Sequence, residues 1–177
     1  MKIKVISSLL SISATIAATL IPNSPALSQQ TSFFCGTEDG YPATIVQSPQ
    51  HGDVTIIKWK SDRTASIGYD NQTRCNIVSE KFQNFYSQGN LKQLTTGRVN
   101  RQPVICVVPN KEAPCNENSM LYTLNPESDA NKTLQQLFEI RAGATTEALE
   151  ETNGRIYVDF EKMVQQKANN EDSLSLF

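Results

Sequence analysis

The four cysteines of this 177-residue chain constrain its fold more than any other feature. They are Cys35, Cys75, Cys106 and Cys115, and an even number of cysteines in a small exported domain is typical of disulfides. Four cysteines allow three pairings, among which sequence alone does not choose. Local placement favours Cys106 with Cys115, a bond that would close the loop from Pro109 to Pro114. Cys35 would then pair with Cys75 and tie the N-terminal segment to a helix.

The N-terminus predicts export, which is the setting in which disulfides persist. Lys2 and Lys4 form a basic start, an uncharged run follows, and Ala26 and Ser28 are the small residues that a signal peptidase reads before its cut. The alternative is an uncleaved membrane anchor, but the run is too short and too rich in Ser and Thr to span a bilayer well. We therefore predict a signal peptide over residues 1–28.

The charge of the chain argues against nucleic-acid binding. The formal net charge is −2, and removal of Lys2 and Lys4 makes it −4. The remaining basic residues form no stripe that would neutralise phosphates, since even Lys92, Arg98 and Arg101 are scattered. No later segment is long and apolar enough to cross a bilayer, so we expect membrane contact to be peripheral at most.

Residues 29–165 read as one small α+β domain, because no repeat and no flexible linker divides them. Apolar alternation and turn residues predict a hairpin and then a three-stranded antiparallel meander, packed with two main helices and stapled by disulfides. The predicted strands are 43–47, 54–60, "LKQLTTGRV", "PVICVV" and 120–124, with a last strand over 155–160 and a short helix after it. The polar residues 166–177 predict a disordered tail.

The second strand of the hairpin shows which side faces the core. Side chains alternate between the two faces of a strand, so Thr55, Ile57 and Trp59 share one face, and the face that holds Ile57 and Trp59 is expected to point inward. Val54, Ile56 and Lys58 then share the opposite face.

The first helix is predicted from its ends and its apolar period. Asp70 suits the N-cap and Gly89 suits the left-handed position that ends a helix. The apolar residues recur at the helical period, and they are Cys75, Val78, Phe82, Phe85 and Tyr86. Outside this stripe lie Glu80, Lys81, Gln83 and Asn84. Cys75 is therefore expected to face the core.

A second helix is predicted over about 130–142. Leu134, Leu137 and Phe138 would face inward, and Gly143 would follow its end.

The sequence carries no catalytic, cofactor-binding or metal-binding motif. Close cysteine pairs of the kind that bind zinc or do redox chemistry do not occur, and His51 is the only histidine. His51 is placed in a turn beside Gly52, and no second histidine exists to serve as the base for Cys75 as a nucleophile. The remaining acidic clusters are explained by solvation or capping: Glu147, Glu150 and Glu151 as a mobile segment, and Asp159 as a helix cap.

Three residues are possible binding groups: Arg74, Arg98 and Asn100. An arginine near a helix start opposes the macrodipole, so Arg74 either forms a structural ion pair or presents an anion-binding group.

Two observations would separate a binding protein from an enzyme. An exposed apolar patch among Trp59, Tyr69 and Tyr122 would favour binding. A deep pocket lined by carboxylates with raised pKa values would favour an enzyme.

Several motifs, taken together, resemble a known family. They are "KWKS" (58–61), "RCNIVSEKF" (74–82), "GNL" (89–91), "TTGRVNRQPVIC" (95–106), Cys115 and "LYTL" (121–124). In this order, over roughly 33–140, they resemble the circadian oscillating protein domain family of cyanobacteria. The resemblance implies an exported cyanobacterial protein, peripherally associated with membranes, whose type member varies in abundance with the daily clock. It implies no catalytic residue.

Two residues depart from the family's pattern. Lys81 stands where the family tends to have arginine, and Arg101 where it tends to have glycine after asparagine. Asn-Gly suits a type I′ turn, so Arg101 must either adopt a positive φ or change the turn.

We therefore expect an exported, non-catalytic binding or accessory protein of the cyanobacterial cell envelope or thylakoid, without a cofactor, whose partner is an unknown protein or envelope component. The alternatives are an enzyme of unrecognised class, such as a hydrolase that uses Asp or Glu pairs, and a structural component of the envelope.

Overall fold

The computed structural model describes residues 30–60, 69–137, 149–152 and 155–174, with no side-chain detail at 137, 149–152 and 170–174. Within these residues the chain forms eight strands and three helices. The strands are β1 (Ser32–Glu38), β2 (Tyr41–Ser48), β3 (Gly52–Lys58), β4 (Gln93–Val99), β5 (Gln102–Val108), β6 (Met120–Thr123), β7 (Leu149–Thr152) and β8 (Arg155–Asp159). The helices are α1 (Asn71–Ser87), α2 (Ala130–Leu137) and α3 (Phe160–Leu174).

The strands form two antiparallel sheets. The first has the order β1-β2-β3, and the second has the order β6-β5-β4-β8-β7. Apolar residues of both sheets and all three helices meet in one core, which includes Val46, Phe82, Leu94, Leu134 and Met163. The predicted α+β class with disulfide staples is confirmed, although the predicted hairpin is a three-stranded sheet and the meander is part of a five-stranded one.

A β-bulge explains why β3 departs from simple alternation. Thr44 of β2 pairs with Ile57, whereas Ile45 pairs with Thr55, so Ile56 is an extra residue. An extra residue reverses the sense of alternation. The prediction is confirmed for Ile57 and Trp59, but it is wrong for Val54 and Ile56, which are also buried.

Helix α1 begins and ends at the predicted residues. Asp70 Oδ1 accepts a hydrogen bond from Thr73 N at 2.7 Å, which satisfies a free N–H of the first turn. Gly89 follows the helix with φ 71°, a conformation that costs glycine little. Cys75 and Phe82 are buried as predicted.

The C-terminal part of the chain is more ordered than the sequence suggested. The prediction of a disordered tail from residue 166 is wrong, because α3 continues to Leu174 and Ala168 lies in the core. Asp159 Oδ1 accepts from Lys162 N at 3.0 Å, which confirms the predicted cap of this third helix. Glu150 and Glu151 lie in β7, which pairs with β8, and not in a mobile segment.

Both disulfides have the expected pairing. Cys35 of β1 bonds Cys75 of α1, and Cys106 of β5 bonds Cys115 in the loop before β6. The second bond lies on the outer face of the five-stranded sheet, in a small apolar cluster with Val104. A Cβ atom at Gly97 of β4 would come within 2.7 Å of Cys115 Cβ. Glycine is therefore required at residue 97 for the loop to close over the sheet.

The turn between β4 and β5 keeps its two-residue form despite the arginine. Val99 pairs with Gln102, and Asn100 and Arg101 have φ values of 49° and 65°. Both central residues are thus left-handed, as a type I′ turn requires. Arg101 adopts the positive φ, which costs a residue with a side chain about 1 kcal/mol.

Several predictions fall outside the described residues. They concern the signal peptide 1–28, the side chain of Leu137, and the residues Phe138, Gly143 and Glu147.

Candidate functional site

A cleft of about 820 Å³ lies where the end of the first sheet, helix α1 and strand β6 meet. One wall is formed by Ile57–Lys60, another by one face of α1, and the third by β6 and the residues that follow it. The side chains that determine its chemistry are Trp59, Tyr69, Arg74, Ile77, Lys81 and Tyr122.

Trp59 forms the rigid part of the cleft. Its indole Nε1 donates to Thr44 Oγ1 at 3.0 Å, and Ser79 Oγ donates to the same oxygen at 3.1 Å. Both hydroxyl-bearing side chains are buried. Because α1 and β2 each supply one of them, the indole ring is fixed relative to both elements.

Arg74 packs on this ring. Its guanidinium carbon lies 4.6 Å from the Trp59 ring centroid, which is cation–π geometry. The Tyr122 ring meets Trp59 edge-on at 5.6 Å between centroids. Burial lowers the pKa of Arg74, since the surrounding protein removes water from the charged group. The sequence left open an ion pair or an anion-binding group, and the structure adds an aromatic partner.

Lys81 provides a second cation, about two helical turns further along α1. Its Nζ donates to the carbonyl oxygen of Met120 at 3.2 Å. Burial alone lowers the pKa of this lysine. Within the part of the chain that the structure describes, no carboxylate lies within ion-pair distance of it.

Tyr122 contributes a buried hydroxyl. No described group forms a hydrogen bond with this oxygen. Burial raises the pKa of the phenol, which therefore stays protonated and can donate. A buried donor without an acceptor is unfavourable, so a bound acceptor that reached this hydroxyl would satisfy it.

The charge balance of the cleft is one-sided. None of the described residues that line it is acidic. Lys58 also lines the cleft, but its charge is balanced by Glu38 at 2.8 Å and Asp39 at 2.6 Å. Lys60 also lines the cleft, with its Nζ 5.4 Å from the Tyr41 ring centroid. The two cations on α1, Arg74 and Lys81, are partly desolvated.

The structure brings only some of the predicted site residues together. Trp59, Tyr69 and Tyr122 line one cleft together with Arg74. They do not form the exposed patch that was expected, because Trp59 is buried and, of the three, only Tyr69 is exposed.

Arg98 and Asn100 lie elsewhere, at the β4–β5 turn. Arg98 Nη1 donates to Arg101 O at 3.1 Å, and Asn100 Nδ2 donates to Glu117 Oε1 at 3.0 Å. Arg98 lines a separate depression of about 570 Å³, whose lining includes Glu127 and Asp129. Arg98 thus shares a depression with two carboxylates, and Asn100 serves the turn.

Sequence reasoning missed Ile77 and Lys81. Both were outside the apolar stripe of α1, but with Arg74 they recur at offsets of three and seven, which places them on one adjacent face of the helix. Arg74, Ile77 and Lys81 thus form a second stripe on α1, and this pattern could have identified the wall that α1 contributes to the cleft.

The described residues contain no group of three His, Cys, Asp or Glu side chains that could hold a metal ion. No described helix is both long enough and apolar enough to cross a membrane.

Comparison with known proteins identifies the family. Residues 32–165 match the family model of the circadian oscillating protein COP23. Because the match covers most of the chain, the protein belongs to this family. No curated protein and no solved structure matches the chain.

Proposed function

We propose that this member of the COP23 family is a non-catalytic binding protein that holds an anionic group of its ligand in the cleft between α1 and β6. The observation that carries the proposal is the pair of desolvated cations, Arg74 and Lys81, beside an aromatic wall with no described carboxylate.

The energetics of Lys81 support this proposal. Moving an ammonium group away from water is unfavourable unless a counter-charge or hydrogen bonds replace the lost hydration. A single carbonyl, Met120 O, replaces only part of it. An anionic ligand would supply the missing counter-charge. Binding would therefore offset the desolvation of Lys81, which is unfavourable in the free protein.

The aromatic side chains support a ligand with an apolar portion. Tyr69 is 50% exposed and Ile77 is 38% exposed, although both are large and apolar. Trp59 and Tyr122 line the same cleft. Exposed apolar groups beside fixed polar donors are the usual composition of a ligand site.

The same groups favour binding over catalysis. A hydrolase of the kind considered from the sequence would place a pair of carboxylates at its substrate, and the described lining of the cleft offers cations and hydroxyls instead.

We further propose that the protein acts outside the cytoplasm, at the cell envelope or thylakoid and peripheral to a membrane. Support comes from the two disulfides, which are compatible with an oxidising compartment, and from the sequence of residues 1–28.

Binding can be tested with 8-anilinonaphthalene-1-sulfonate, which combines an anionic group and an aromatic body. Isothermal titration calorimetry of the oxidised mature protein should detect one site. Lys81→Gln and Arg74→Gln should each weaken binding about tenfold, the equivalent of one charge-assisted hydrogen bond.

Lys92→Gln is the matched control, because Lys92 is exposed and does not line the cleft. It should leave the affinity unchanged. Equal weakening by all three variants would show that the probe responds to overall charge, and absence of binding would remove the proposed site.

A further inference from the structure

Strand β6 borders the cleft along its whole length. Met120, Leu121, Tyr122 and Thr123 all line it. In the order β6-β5-β4-β8-β7, β6 is at the end of the sheet and pairs on one side only, with β5. Its other side has no partner among the described strands.

The register shows which backbone groups of β6 remain for a partner. Leu124 N donates to Pro103 O at 2.8 Å, and Thr123 lies opposite Val104. Successive residues of an edge strand direct their N–H and C=O groups alternately toward and away from the neighbouring strand. Since the backbone N–H of Leu124 is directed toward β5, the N–H and C=O of Thr123 are directed away from β5.

The Met120 end of this edge already carries a bond from the cleft. Met120 O accepts from Lys81 Nζ, so the cationic part of the site and the edge of the strand are adjacent. A ligand at this edge would meet Lys81 at one end of β6 and the exposed ring of Tyr69 and side chain of Ile77 on the walls.

We propose that the ligand is an extended acidic peptide segment of a partner protein, which adds a strand to β6 and places a carboxylate against Lys81 and Arg74. The inference rests on the proposed function and names the class of its ligand. Addition of a strand uses main-chain hydrogen bonds for affinity and alternate side chains for specificity. The absence of acidic groups from the described lining gives the charge complementarity to such a peptide.

The test starts with a displayed library of random peptides about nine residues long, which is ample for pairing with a strand of typical length. The library is selected on the oxidised mature protein after depletion on the Lys81→Gln variant. The enriched peptides should contain a carboxylate at a constant position. Synthetic copies should displace 8-anilinonaphthalene-1-sulfonate and should bind Lys81→Gln and Arg74→Gln about tenfold more weakly.

An N-methyl scan of the best peptide then tests strand addition without any change to the protein. Methyl groups on alternate amides should abolish binding, and methyl groups on the amides between them should have little effect, because only every second amide of an added strand faces its neighbour.

The outcomes separate the inference from the proposal on which it rests. If 8-anilinonaphthalene-1-sulfonate binds at the cleft but no peptide is enriched, the cleft binds an anion and the peptide inference is wrong. A peptide that tolerates N-methylation at every position binds through side chains alone, which overturns strand addition. If neither probe binds, the proposed function itself fails.

Discussion

Helix α1 packs against two aromatic clusters of opposite character. The first, the phenylalanine cluster, consists of Phe33, Phe82 and Phe160, whose ring centroids are 5.6 to 5.8 Å apart. The second, the cleft cluster, consists of Trp59 and Tyr122 with Arg74 and Lys81 beside them. The same helix therefore presents hydrocarbon to one cluster and charge to the other.

The difference lies in what each cluster does with its polar atoms. The phenylalanine rings have none, and all three are less than 8% exposed, so their burial is favourable throughout. The cleft cluster buries a hydroxyl without a described partner and desolvates two cations. We expect the phenylalanine cluster to stabilise the fold, whereas the buried hydroxyl and the two cations of the cleft cluster carry a desolvation cost that the proposed binding would offset.

The largest expected effect is in the phenylalanine cluster. Phe82→Ala should lower the free energy of unfolding by about 3 to 5 kcal/mol, because it removes a fully buried ring and leaves a cavity. Urea unfolding of the oxidised protein measures this.

Glu80→Ala is the control on the same helix, since Glu80 is exposed. It should change stability by no more than about 0.5 kcal/mol. If both substitutions cost the same, the phenylalanine cluster does not stabilise the protein more than the helix surface does.

The disulfide at the start of α1 should come next. Cys75→Ser should lower stability by about 2 to 5 kcal/mol, since it releases a loop with a sequence separation of 40 in the unfolded chain and places a hydroxyl in the core. The fraction that remains folded should still bind 8-anilinonaphthalene-1-sulfonate. If stability is unchanged and binding is lost, the disulfide serves the cleft and the division between the two clusters is wrong.

Lys81→Met tests the cleft cluster by replacing this cation with an uncharged, unbranched side chain that is one atom shorter. Stability should stay within about 0.5 kcal/mol of the parent or increase, because a partly desolvated cation is lost. Binding of the anionic probe should weaken about tenfold. A clear loss of stability would place Lys81 among the stabilising residues.

The pKa of Lys81 gives the same test a pH dependence. Burial lowers this pKa in the folded protein, so the pKa of Lys81 is lower in the folded state than in the unfolded state. At a pH below the folded-state pKa, the lysine is charged and the folded protein bears the full desolvation cost. As the pH rises from the folded-state pKa to the unfolded-state pKa, the folded protein loses this proton and the cost disappears. Stability of the parent should therefore gain a contribution in that alkaline window, and the gain should be missing in Lys81→Met. Urea unfolding of both proteins across the window measures the difference.

The sequence predicted the core side of α1 better than its cleft side, for a physical reason. Burial of apolar side chains follows the helical period, so Val78 and Phe82 were placed correctly. Lys81 and Gln83 were assigned to the outer surface by the same rule. In the structure, Gln83 Oε1 accepts a hydrogen bond from Phe33 N at 2.9 Å, which satisfies this backbone N–H of strand β1. Hydrogen bonds between distant segments leave no period in the sequence.

In the sheets, too, the features that the sequence failed to predict depend on contacts between distant segments. Strand β1 was missed because "SFFCGTE" has little alternation of its own and becomes a strand by pairing with β2. The bulge at Ile56 was missed because it depends on the register between β2 and β3. By contrast, the caps at Asp70 and Asp159 and the turn at Asn100 are local, and the sequence predicted all three.

The smallest expected effect compares two tyrosines. Tyr122 has a buried hydroxyl without a described partner, whereas Tyr157 donates to Lys111 O at 2.8 Å. Tyr157→Phe should therefore cost about 1 kcal/mol, the usual net value of a hydrogen bond. Tyr122→Phe should cost nothing or stabilise slightly, because it removes a buried donor that gains nothing in the free protein. Urea unfolding of the two variants side by side measures the difference, and calorimetry should show that Tyr122→Phe alone weakens binding of the anionic probe. If Tyr122→Phe costs as much as Tyr157→Phe and binds the probe normally, the hydroxyl belongs to the fold, and the cleft cluster is a second stabilising core.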